Sequence, residues 1–348
     1  MKLVLAISFA CMVLVTNLTE QVHSRPSVGN ERLVLPARLA IYYGYPSLIN
    51  GAQGDINAAV RVLADYDVVV LGDGLEFTNV KATRRPPGSG HTENLNVRRI
   101  IRLLRRSTRR TAVYGYIDLG NTQKLSLAEL QQRTRLWADM GVRGIFLDEA
   151  GYDFGVTRTR QNEIIEYIHS LGLNAFVNAY NPDDVFSSAT IALNAVGGGN
   201  PDGLPCSLGK KDIFLLESFQ IQNGGYEEAI QWASRVARAV KYRERFGTRL
   251  FAVTTADSQP FSSAQLEYAW WSALLWGLEG FGWGEPNFSS VSSELPWRPR
   301  PIEKAELLGS YFTSSVTQNN TQYLRATDRG QIVIDTNNFT GRFLAHSP

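Results

Sequence analysis

Short runs of β-branched and aromatic residues alternate along the chain with longer stretches in which apolar residues recur every three or four positions. Runs at 38–45, 67–73, 111–118, 142–148, 173–180, 213–217, 249–257 and 280–283 predict eight strands. Helical periodicity fills the intervals. Ile56, Ala59, Val60 and Leu63 share one face, Ile164, Ile165 and Ile168 precede Gly172, a helix over 226–246 closes at Gly247, and Leu266, Trp270, Leu274 and Leu275 mark a seventh helix. Ser126 with Glu129 three residues on predicts a capping box, and Gly141 the end of the helix it opens. The segment 183–209 reads as a weaker helix followed by a Gly/Pro-rich loop. Residues 302–311 predict an eighth helix, and 321–343 two or three strands with turns at 328–330 and 337–338.

Strands alternating with helices imply a parallel sheet covered on both faces. No glycine-rich phosphate loop follows an early strand, and eight units is the number that closes a ring. The expectation is therefore an α/β fold, a (β/α)₈ TIM barrel over residues 36–312 with a small C-terminal β extension over 313–348.

Side chains alternate faces along a strand, so each run can be read for what its inward series ends on. Gly144, Phe146 and Asp148 form one series, Ile213, Leu215 and Glu217 another, and Tyr114, Tyr116 and Asp118 a third. Val69, Leu71 and Asp73, then Val253, Thr255 and Asp257, also end in acids; Ile41, Tyr43 and Tyr45, and Phe176, Asn178 and Tyr180, end in polar or phenolic groups. Five carboxylates are thus expected at one mouth, the end of the barrel where active sites of this fold lie. Glycoside hydrolysis needs one protonated and one ionised carboxyl group. Asp148 and Glu217, two strands apart, are the expected catalytic pair, with Glu217 the general acid and Asp148 the nucleophile or base, an assignment that can be reversed. Tyr43, Asp73, Tyr116, Asp118, Asn178, Tyr180, Asp257 and Trp283 are the expected substrate-binding residues, the rings to stack on sugar and the polar groups to bond hydroxyls. Glu149, of opposite parity, is expected to orient a loop.

Composition narrows the chemistry. Of 348 residues 35 are basic and 33 acidic, so the net charge of +2 gives no global attraction for nucleic acid. The local exception is the series Arg98, Arg99, Arg102, Arg105, Arg106, Arg109 and Arg110, which reads as the basic back of an outer helix or, alternatively, as a contact for an anionic polymer or a membrane surface. Lys2 followed by an apolar run over 3–15 predicts an export signal over 1–24, hence a secreted or extracellular protein without an integral membrane segment. Cys206 is then the only cysteine left, excluding an internal disulfide, and the four histidines are too scattered for a metal motif. No cofactor or metal is expected, and a monomer binding a polysaccharide or oligosaccharide is.

The run from Gly141 to Tyr152, GVRGIFLDEAGY, with YGYID ending at Asp118, Asn178, and the Leu216, Glu217, Ser218 triplet, resembles the endo-α-1,4-polygalactosaminidase family of barrel glycosidases and its uncharacterised relatives. The likeness spans about 38–283, although the first strand, AIYYGYP over 40–46, lacks a tryptophan-rich opening. It implies that the acids of strands four and six, here Asp148 and Glu217, form the active pair, and that the substrate is an α-linked, galactosamine-containing polysaccharide cut internally. A catalytically silent carbohydrate-binding or cell-surface barrel remains the alternative, because a fold does not fix a function.

Overall fold

The structure, a computed structural model, describes residues 31–78, 91–257 and 260–346; the expected export signal lies outside them. Eight parallel strands close a barrel: β1 (Ala37–Tyr42), β2 (Val68–Leu71), β3 (Ala112–Asp118), β4 (Gly144–Asp148), β5 (Asn174–Asn178), β6 (Ile213–Leu216), β7 (Arg249–Val253) and β8 (Gly280–Gly282), with β8 pairing back onto β1. Around it run α1 (Ile56–Leu63), α2 (His91–Leu104), α3 (Leu127–Met140), α4 (Arg158–Ser170), the single turn α5 (Asp183–Phe186), α6 (Ala229–Phe246) and α7 (Ser263–Leu275). The fold is a (β/α)₈ TIM barrel with a small antiparallel sheet appended. None of the described helices is long and apolar enough to cross a membrane.

Local signals set the helix ends. Ser126 and Glu129 cap α3 reciprocally, and Gly141 and Gly247 end α3 and α6 in the left-handed conformation, where a side chain would be strained.

The apolar residues form two shells. The inner one lies inside the barrel and includes Leu39, Ile41, Val68, Val70, Tyr114, Tyr116, Phe146, Phe176, Ile213, Leu215, Phe251 and Val253. Its rings meet edge to face, Phe146 with Phe176 at 5.1 Å and Phe176 with Phe251 at 5.7 Å between centroids. Small residues opposite make room for them: a Cβ on Gly280 would lie 2.2 Å from the Phe251 ring, and one on Gly144 2.5 Å from Tyr114. The outer shell joins the strands to the helices.

One expected element is missing: no eighth α-helix forms over 302–311, where a 3₁₀ turn, Ala305–Leu307, interrupts an irregular segment. The C-terminal extension is a sheet of four strands rather than two or three, β9 (Thr317–Asn319), β10 (Gln322–Ala326), β11 (Gly330–Asp335) and β12 (Thr340–Ala345). Gly341 of β12 comes so close to Trp271 of α7 that a Cβ would lie 2.3 Å from its side chain. The sheet covers a helix that is apolar on nearly every side, with Leu266 and every residue from Tyr268 through Leu275 buried. Over 183–209 the expected weaker helix and loop are present, the helix being only the four residues of α5. The long loop that follows is pinned by buried Arg158, which donates to the carbonyl oxygens of Asp184 and Leu204, both at 3.0 Å.

Candidate active site

On four strands the inward series ends at the mouth as expected. Tyr116, Phe146, Phe176 and Leu215 belong to the inner shell, so the residues two further on, Asp118, Asn178, Asp148 and Glu217, come together at the C-terminal mouth. Register places Asp118 beside Asp148, and the Leu119 N–H donates to the Asp148 carbonyl at 2.9 Å.

Asn178 holds the centre. Its carboxamide nitrogen donates to Asp148 Oδ1 at 2.8 Å and to Glu217 Oε2 at 2.6 Å. The two accepting oxygens therefore cannot be farther apart than those two bonds laid end to end. Burial and the neighbouring Asp148 push the Glu217 carboxyl up to about 7, against the Asn178 amide and the Arg235 guanidinium, which lower it. Burial also raises Asp148, but three donors favour its ionised form: Asn178, the Tyr116 hydroxyl and the Glu149 N–H. Tyr116 and Tyr43 meet edge to face at 5.1 Å, and burial together with the charge of Asp148 keeps both phenols protonated.

The residue after each acid, Glu149 and Ser218, has a positive φ, 53° and 55°. Such a conformation costs a non-glycine residue of order 1–3 kcal/mol, and here it turns the chain off the strand as soon as the acid has been presented. Glu149 accepts from Thr122 Oγ1 at 2.5 Å and Thr122 N at 3.3 Å, tying the loop after β3 to the end of β4. On the other side Arg235 of α6 donates to the Glu217 carbonyl at 2.8 Å and pairs with Glu227 at 3.0 Å. Sequence reasoning missed Arg235, because one buried arginine among the basic residues of α6 leaves no signature.

Other expected residues lie elsewhere. In β2 it is Val68 and Val70, not Val69 and Leu71, that face the interior. Asp73 stands beyond the strand and is held by Arg133 at 2.5 Å and by the Gln123 amide at 3.1 Å, so it braces a loop. Trp283 belongs to the outer shell, since the glycines of β8 take the inward positions; it meets Phe261 edge-on at 5.3 Å. Asp257 lies against Gly224 in a side cavity of about 180 Å³ shared with Phe261 and Arg298. Tyr180 is 46% exposed at the rim, its ring beneath the Arg235 guanidinium at 4.5 Å. Among the described residues no group of three or more His, Cys, Asp or Glu side chains is arranged to hold a metal ion.

Asp118 is 1% exposed, and its Oδ1 is buried without a hydrogen-bond partner. Burial first, then Glu149 and Asp148, push its carboxyl up to about 7. The folded protein thus binds a proton there that the unfolded chain gives up near pH 4, and stability drains away as pH climbs from about 4 to about 7. Asp118→Asn, uncharged throughout, is expected to melt above the wild type at pH 8 by of order 2 kcal/mol, and to lose that advantage at pH 4. Thermal melts at both pH values check this; parallel pH dependences would refute it.

No protein-family model matches the chain, and no curated protein matches its sequence. Solved structures do match. Amy13B of Eubacterium rectale aligns over 88% of this chain and 86% of its own, at 9% identity and a TM-score of 0.50. The glycoside hydrolase domain of PelA from Pseudomonas aeruginosa aligns over 75% of this chain and 100% of its own, at 12% identity and a TM-score of 0.41. At such identities the likeness is one of fold.

Proposed function

We propose that the protein is a secreted glycoside hydrolase that cuts within an α-linked, galactosamine-containing polysaccharide and retains the anomeric configuration. The observation that carries this reading is the single Asn178 amide shared between Asp148 and Glu217 at 2.8 and 2.6 Å. It keeps the two accepting oxygens no farther apart than two hydrogen bonds, which favours the ≈ 5–5.5 Å spacing of retaining carboxyl pairs over the ≈ 6.5–9.5 Å that leaves room for an inverting water. The choice of sugar rests on the sequence resemblance alone.

In the first step Asp148, the better supplied with donors, attacks the anomeric carbon while Glu217 gives its proton to the departing glycosidic oxygen. In the second, Glu217 as carboxylate takes a proton from water, and that water breaks the ester to Asp148. Because the acid must start protonated, turnover should decline as pH rises past about 7, where Glu217 loses its proton.

Partially deacetylated α-1,4-galactosaminoglycan incubated with the protein should yield new reducing ends, and proton NMR should show them first as the α anomer. A first-formed β anomer would overturn retention. Oligosaccharide binding with no reducing ends from pH 4 to 9 would overturn hydrolysis and leave a carbohydrate-binding barrel.

A further inference from the structure

We propose that a groove lined by Arg98, Arg99, Arg102, Arg105, Arg110 and Arg143, at the opposite end of the barrel from the carboxylates, is a second binding site for a sulfated or carboxylated polysaccharide. This goes beyond the proposed hydrolysis and does not depend on it.

The groove consists of two connected hollows. One, of about 610 Å³, is lined by Arg98, Arg99, Arg102 and Arg105 of α2 and its end, together with Met140 and Gly141 where α3 stops. The other, of about 430 Å³, shares Arg105 and Gly141 and continues past Arg110 and Arg143 along the residues that lead into β3, β4 and β5. Those are the N-terminal ends of the strands, whereas Asp148 and Glu217 stand at the C-terminal ends. The helix ends α2 and α3 also point here, and a cation or two would suffice to complement them. Six guanidinium groups exceed that need.

These charges are left unneutralised. Asp139 is the one acidic residue lining the two hollows, and it is the Asp139 carbonyl, at 3.0 Å, that receives Arg98. The only acid in α2, Glu93, is buried and turned inward onto Ser47. Among the described residues, none of the six arginines is in an ion pair; the nearby Arg109 reaches Asp67 only at 4.0 Å. A solvated outer helix ordinarily mixes both signs, because like charges three or four positions apart repel.

The chemistry of the lining selects the ligand. Every cation is arginine, whose planar fork grips sulfate, carboxylate or phosphate through paired N–H donors, where lysine offers a point charge. No aromatic ring lines either hollow, so nothing is present on which successive bases could stack, as single-stranded nucleic acid would require. The site is also concave, whereas reading double-stranded DNA calls for an element that projects into a groove of the duplex. An anionic glycan chain, with acid groups spaced along an unstacked backbone, suits both features.

The test uses the full chain and heparin as probe. Wild-type protein, the groove variant Arg102→Gln/Arg105→Gln/Arg143→Gln and the control Arg245→Gln/Arg329→Gln/Arg342→Gln, with the same loss of charge, are titrated with a heparin oligosaccharide across a salt series. All six positions are solvent-exposed. The groove variant should bind at least tenfold more weakly at 0.1 M salt, with a salt slope reduced by roughly one for each arginine that touches the glycan. The control should bind as the wild type does. Equal weakening in both variants would overturn the proposal, reducing the effect to net charge, as would unaltered binding by the groove variant. Displacement of bound heparin by a lower concentration of duplex DNA would also overturn it, in favour of nucleic acid.

Discussion

Glu217→Gln is expected to lower kcat/KM on the polysaccharide by about 10²–10⁴-fold, the range that a positioned general acid contributes. The same variant should lose far less on an aryl glycoside whose leaving group departs without a proton. Asp148→Asn should be nearly inactive on both substrates, because no leaving group compensates for a missing nucleophile. The contrast separates the two roles, which activity loss alone would not. The alkaline limb of the pH profile, which the raised Glu217 carboxyl places near 7, should vanish for Glu217→Gln on the aryl substrate. If Asp148→Asn keeps activity on the aryl glycoside while Glu217→Gln loses it, the roles are exchanged. If both keep full activity on the polymer, the pair is not the catalyst.

Arg133→Met should be the most damaging single change to stability outside the site. Arg133 of α3 lies buried between two acids, donating through Nε to Glu76 at 2.5 Å and through its terminal nitrogens to Asp73 at 2.5 Å and Gln123 at 3.0 Å. Glu76 is 0% exposed and, even with this partner, burial pushes its carboxyl up to about 7. Removing the partner of a buried charge costs roughly 3–5 kcal/mol, more than most core truncations by a single methylene. For a domain of this size the corresponding fall in melting temperature is about 10 °C. The sign of its pH dependence follows from Glu76. Its folded pKa lies above its unfolded value, so stability is lost as pH rises through the interval between them. Without Arg133 that interval extends upward, and the deficit should be larger at pH 8 than at pH 5. Adding Glu76→Gln should restore part of it. Wild-type melting of Arg133→Met at pH 8 would show that the arginine carries no such burden.

Alternation was legible in the sequence wherever one strand face differed from the other. In β4 the glycine, phenylalanine and aspartate at 144, 146 and 148 contrast with the aliphatic residues between them, and the mouth of the barrel follows. In β2 all four residues, Val68–Leu71, are aliphatic and buried on both sides, so the pattern contains no phase and Asp73 reads onto the wrong face. In β8 the inward residues are glycines, which carry no side chain to reveal the interior, and Trp283 drew attention that belonged to the space opposite it. The shared Asn178 could be placed on the correct face, yet its two bonds depend on the rotamers of three side chains from three strands. Arg235 and Arg133 join residues 18 and 57 positions apart, separations that periodicity along one element does not encode.

The sheet of β9–β12 is made last and packs on α7, far along the chain from it. Trp271 and the rest of the greasy outer side of α7 stay uncovered until residues of about 330–345 have left the ribosome. A nascent chain stalled after β8 would hold all eight barrel strands and still expose a sticky flank, an invitation to chaperones or to clumping. Completion of the fold is thereby timed to the arrival of a segment that takes no part in the ring.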